Sequence, residues 1–139
     1  MHSTNYVNTF IEVAEDTAAA AATVPPERAT PSVAELTFRM IADAPYRHTS
    51  DDVVFGVWAR RRGVPEADRT AARETFFAKG QPCLRSSDLG KRYGWGIHAD
   101  AEGRVALVAL GSPEYATLAA GRAPDGTTVT VTRAMRSRR

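Results

Sequence analysis

The chain has 139 residues, of which 43% are hydrophobic and 24% charged, and its formal net charge is +2. That length suits one domain with a core that needs neither disulfides nor a structural metal, and the balance excludes a disordered polymer. A single cysteine, Cys83, excludes an internal disulfide and a cysteine-rich zinc site and points to a reducing cytoplasm.

No apolar run reaches membrane-spanning length. The opening residues lack the basic and apolar regions of a secretory signal, so neither a membrane nor export is expected.

Residues 9–14 are brief, apolar and β-branched, which predicts a strand. Residues 16–30 are alanine-rich and broken by Pro25 and Pro26, which predicts an extended loop with at most one helical turn. Ser32 followed by Glu35 has capping-box spacing and opens a helix with Val33, Leu36, Met40 and Ile41 on one face. Pro45 ends it. Thr49 and Ser50 with Asp51 and Asp52 open a second helix, with Val54, Val57 and Trp58 as its buried stripe. Arg60, Arg61 and Arg62 fall in the last turn, where cations suit the carbonyl end, and Gly63 stops the helix. A third helix runs from Pro65 to Lys79 with Ala72 and Phe76 toward the core.

Residues 81–85 are a loop, and Ser86 or Ser87 caps a short turn over 89–93. Residues 95–110 give a hairpin closed by a type I turn and a left-handed Gly103. Its register pairs Asp100 with Arg104, His98 with Ala106, Ile97 with Leu107 and Trp95 with Ala109. Trp95, Ile97, Ala99, Val105 and Leu107 then share the face that packs on helices, and Gly96, His98, Ala106 and Val108 share the other. Ser112 caps a short helix to Leu118, Asp125-Gly126 is a turn, and 127–135 is a half-exposed final strand. The fold class is α+β, with helices packed on a small, mainly antiparallel sheet containing the 95–110 hairpin, in one domain over 1–139.

Several runs are similar to a known family. They are Asn5-Tyr6 with residues 8–16, Pro45-Tyr46 with 49–53, 79–87, 91–98 and 134–137. On these the chain resembles, over its whole length, a family of small bacterial proteins of unknown function (domain of unknown function 6157). The resemblance implies a shared fold and brings no activity or catalytic residues.

Three function classes follow from the residues. The leading one is a binding module for an anionic small molecule or a nucleic-acid fragment, using 79–98. Arg85, Lys91 and Arg92 supply cations, Ser86 adds a donor at a helix start, and Tyr93 and Trp95 offer stacking surfaces. The second is a cysteine-dependent enzyme in which His98 takes the proton of Cys83. These readings expect Cys83, Arg85 and His98 around one concave pocket. The third is a protein-interaction scaffold without chemistry. A helix-turn-helix over the second and third helices conflicts with Arg62 and Arg69 at positions that need apolar residues. No metal or cofactor is implied, His2 and His48 read as terminus and turn residues, and the adjacent Asp51 and Asp52 diverge too far for a catalytic pair.

Overall fold

The computed structural model describes residues 1–137. Arg138 and Arg139 of the basic tail lie outside the described residues.

The elements are β1 (Thr9–Glu12), α1 (Val33–Ala42), α2 (Ser50–Arg62), α3 (Arg69–Phe76), α4 (Asp88–Lys91), β2 (Trp95–Ala99), β3 (Val105–Ala109), α5 (Pro113–Ala119) and β4 (Thr130–Arg133). Short 3-10 turns at Glu66–Asp68 and Leu84–Ser86 precede α3 and α4. The strands form one sheet in the order β3-β2-β1-β4, with β1 parallel to β4 and the other pairs antiparallel. The fold is therefore α+β with a mainly antiparallel sheet.

The hairpin register is the expected one: Trp95 pairs with Ala109, Ile97 with Leu107 and His98 with Ala106. Turn chemistry sets it. Gly103 has φ +77°, and its N–H donates to the Asp100 carbonyl at 3.0 Å. The Asp100 side chain also accepts from the Glu102 and Arg104 amides. Side chains alternate across the sheet, so Ile97, Ala99 and Val105 enter one core with Ile11, Leu36, Ile41, Val53 and Val57 from β1, α1 and α2.

The opposite face is also covered. Phe10, Val108, Tyr115, Leu118, Ala123 and Val129 form a second core beneath α5. Phe10 meets Tyr115 edge-on with centroids 5.0 Å apart. Gly96 makes room for them, since a Cβ there would lie 2.6 Å from the Phe10 ring. A third cluster of Phe55, Ala59, Phe76 and Phe77 joins α2 to α3.

Three boundaries differ from the sequence reading. α3 ends at Phe76, because Phe77 turns inward and is 1% exposed. The final strand shortens to β4, because residues 128–129 instead bond to Arg122 and Gly121. The alanines at 18–22 form no helical turn and belong to a strap tied to the β2 approach, with the Thr23 N–H donating to the Tyr93 carbonyl. Ser32 does cap α1, but Glu35 does not close the capping box. Its buried carboxylate accepts from the Arg28 amide and pairs with Arg39, which fastens the proline-rich strap to α1.

Both sheet edges are partly occupied. At β3, the Val105 N–H donates to the His48 carbonyl and its C=O accepts from Tyr46. At β4, the Val129 N–H donates to Gly121 and the Arg133 carbonyl accepts from Arg85 Nε at 2.7 Å. Edge strands blocked in this way are poor templates for strand addition.

The start of α2 is the main junction. Thr49 and Asp52 make a reciprocal capping box, and Asp52 also pairs with Arg73 of α3 at 2.9 Å. Asp51, on the next face, is buried and accepts from Ser3 Oγ, the Thr4 amide and Thr4 Oγ1 at 2.7–2.9 Å. Removing that carboxylate strands the buried Thr4 amide and takes one partner each from the Thr4 and Ser3 hydroxyls. Asp51→Ala should cost about 3 kcal/mol in a urea melt, with faster hydrogen exchange at the Thr4 amide. Unchanged stability and unchanged exchange would refute the junction role.

Candidate functional site

A cleft of about 430 Å³ opens between α1, α2 and the 81–88 segment. The floor is apolar because α2 buries more than one stripe. Val53 and Val57 face the sheet core, while Val54 and Trp58 are half-buried and line the cleft with Val33, Ala34 and Phe76. Arg61 and Arg62 stand on the rim, and Arg62 lies over the Trp58 ring at 5.3 Å. Among the described residues no carboxylate lies within ion-pair distance of either arginine.

The opposing wall is the segment containing Cys83. Gln81 Nε2 donates to the Phe76 carbonyl at 2.7 Å, and Ser86 Oγ donates to the Cys83 carbonyl at 2.7 Å. Ser87 accepts from the Leu89 amide and caps α4. Cys83 is half-buried, and its Sγ is 3.4 Å from the Tyr6 hydroxyl. Burial, helped by the neighbouring thiol, raises the Tyr6 phenol above its ordinary 10.0, and the Arg85 guanidinium opposes the rise.

The structure brings only some of the sequence candidates together. Cys83 and Ser86 line the cleft; Arg85, Lys91, Arg92, Tyr93, Trp95 and His98 do not. Arg85 is engaged by the Arg133 carbonyl and lies near Tyr6. Arg92 pairs with Asp88 at 3.8 Å. Trp95 packs at a tilt against Phe38 of α1 and donates from Nε1 to the Thr23 carbonyl, so its polar edge is used by the strap. The strap also crosses Gly94, where a Cβ would lie 2.5 Å from the Ala21 carbonyl oxygen. Among the described residues no three metal-ligating side chains cluster.

His98 pairs with Phe10 and Ala106 on the α5 side of the sheet, whereas Cys83 lines the cleft on the helix side. The sheet thus separates the two. Nδ1 of His98 bonds the Tyr46 hydroxyl at 2.8 Å, and Nε2 is buried without a hydrogen-bond partner among the described residues. Tyr46 reaches it from a left-handed backbone, φ +58°.

Sequence reasoning missed Tyr6, Val54 and Trp58 as parts of one site. The signal lay in α2, where Val53, Val54, Phe55, Val57 and Trp58 are too many apolar residues for a single buried stripe.

Burial pushes His98 below its ordinary 6.5, against the pull of Asp100 and Asp125. Below 6.5 the unfolded chain therefore binds more protons than the folded one, and stability decreases as the pH is lowered. Asp52 titrates lower: burial opposes its charge, but the Thr49 amide and Arg73 outweigh it and hold the carboxyl below 3.8. Wild-type protein should lose stability as pH falls through 6.5 and below, and His98→Leu should flatten that slope in urea melts taken at stepped pH. An identical slope in the variant would clear His98 of the effect.

No curated protein and no solved structure matches this chain. The family of unknown function DUF6157 matches residues 1–139, the whole length. The chain therefore belongs to the family of unknown function DUF6157.

Proposed function

We propose that this protein binds a small amphipathic anion in the cleft between α1, α2 and the 81–88 segment. The observation that carries the reading is the pairing of an apolar floor with two arginines that have no carboxylate partner among the described residues. Trp58 and the valines would take an apolar or aromatic body by area burial. Arg61 and Arg62 would take the acid group with their planar donor forks. A volume of about 430 Å³ falls in the range of small-molecule sites. The ligand class is narrower than the anion or nucleic-acid fragment expected from 79–98, because Lys91, Arg92, Tyr93 and Trp95 do not line the cleft. The single cysteine, a free thiol, favours the cytoplasm as its location.

A second reading keeps Cys83 as a nucleophile, with Tyr6 rather than His98 beside it. The 3.4 Å contact between the thiol and the phenol favours it. Under that reading the Tyr6 hydroxyl donates to the thiolate as it forms. Tyr6→Phe should then slow alkylation of Cys83 by iodoacetamide, and equal rates in wild type and variant would eliminate it.

The binding reading is tested by thermal denaturation with 4-phenylbutyrate, 4-phenylbutanol and 4-phenylbutylamine. The acid should raise Tm, by an amount equivalent to about 2.7 kcal/mol at a hundredfold excess over Kd. The alcohol and amine should do little. The Arg61→Ala/Arg62→Ala double variant should lose most of the shift. No response to the acid, or the same response in the double variant, would sink the proposal.

A further inference from the structure

The arginine run at the end of α2 serves two grooves. Arg61 and Arg62 border the cleft described above, while Arg60 points to a second groove of about 520 Å³ on the other side of the helix. That groove takes Arg39 from α1, Arg60 from α2, Arg69 from α3 and His48 from the α1–α2 connection. Its floor is apolar and close-set: Met40 lies across Gly56, where a Cβ would be 2.9 Å from the Met40 methyl.

The charges in this groove do not cancel. Arg39 is answered by the buried Glu35 carboxylate and by Glu27. Arg60 has no carboxylate within ion-pair distance among the described residues. Among the described residues Arg69 meets only Glu66, at 3.7 Å, whose side chain is 94% exposed, so water screens that pair. Asp43 is the one acid among the described residues of the lining.

Helix-end electrostatics account for Arg60, in the last turn of α2, but not for Arg69. Arg69 opens α3, the end at which a cation is disfavoured. Its Nε instead donates to the Val64 carbonyl at 3.3 Å, which anchors the side chain on the α2–α3 connection beside Arg60's helix. Guanidiniums brought to one groove by separate helices form an arrangement that a multivalent oxyanion would complete.

We propose that this second groove binds the phosphoryl group of a small phosphorylated molecule between Arg60 and Arg69. A phosphate dianion matches Arg60, which has no carboxylate partner among the described residues, and Arg69, whose partner Glu66 is exposed to water, and its three terminal oxygens suit their forked donors. His48 also lines the groove. Among the described residues no Phe, Tyr or Trp lines the groove, so it offers the bases of a nucleic acid little stacking surface, and a small phosphate ester fits better than a strand. The site is separate from the amphipathic-anion cleft and does not depend on it.

The test is an NMR titration with inorganic pyrophosphate, methyl phosphate and an oligothymidylate at physiological ionic strength. Pyrophosphate and methyl phosphate, which lack the apolar body that the first cleft takes, should shift the Arg60 and Arg69 Nε–Hε signals and the amides of Met40 and Gly56. Arg60→Gln/Arg69→Gln should weaken both ligands by about tenfold or more, and Arg61→Ala/Arg62→Ala should leave them unchanged. Should the double variant fail to fold, the single Arg60→Gln, at an exposed position, serves alone with a weakening of at least severalfold. Equal affinity in the Arg60 variant, shifts confined to the Arg61/Arg62 side, or no shifts at millimolar ligand would overturn the proposal. Tighter binding of the oligothymidylate, falling steeply with salt, would overturn it in favour of a nucleic-acid strand.

Discussion

The buried Asp51 carboxylate is the constraint on which the arrangement turns. It sits at the start of α2 and collects three donors from Ser3 and Thr4. Left unpaired in that position it would be strongly unfavourable, so the N-terminal segment must lie against α2 for the helix to dock. The same segment leads through Tyr6 into β1, which pairs with β2 on one side and β4 on the other. Asp52, one residue on, is turned about 100° around the helix and holds Arg73 of α3. Two adjacent acids with different partners thus join the N-terminal segment, α2 and α3, and the position of Tyr6 against Cys83 follows from that joint.

Once these segments are joined, most of the sheet's surface is taken. Both faces of the sheet are covered, and both edges spend backbone groups on loops or on the Arg85 side chain. Trp95, which reads as a stacking surface in the sequence, is committed to Phe38 and to the strap at Thr23. What stays open is the ground on either side of α2. Val54 and Trp58 project there because the helix carries apolar residues over a wider arc than the sheet can bury. The arginines that end the helix divide between the two grooves.

The parts of the fold legible in the sequence are those with local causes. Ser32, Thr49, Ser87 and Ser112 cap the helices they precede, and Gly63 closes α2 with a left-handed residue. The hairpin register follows from the Asp100-to-Gly103 turn alone. The second layer was not legible, because α5 contributes little more than Tyr115 and Leu118 to it and a seven-residue helix leaves a weak periodic signal. The parallel pairing of β1 with β4 joins the two ends of the chain and has no local signature. The site was read with the same bias. Cys83 and Ser86 fall in the cleft, but alternation along β2 carries His98 to the opposite side of the sheet. The partner that Cys83 does have, Tyr6, is distant in sequence.

If the cleft beside α2 is where this protein takes a ligand, and the His98 side of the sheet is structural, amide chemical-shift mapping on the folded protein with 4-phenylbutyrate tests this directly. Shifts should cluster on Val33, Val54, Trp58, Arg61 and residues 81–88 and leave β3, α5 and 121–129 unmoved. Shifts centred on His98, Tyr46 and Tyr115, with the cleft silent, would contradict it.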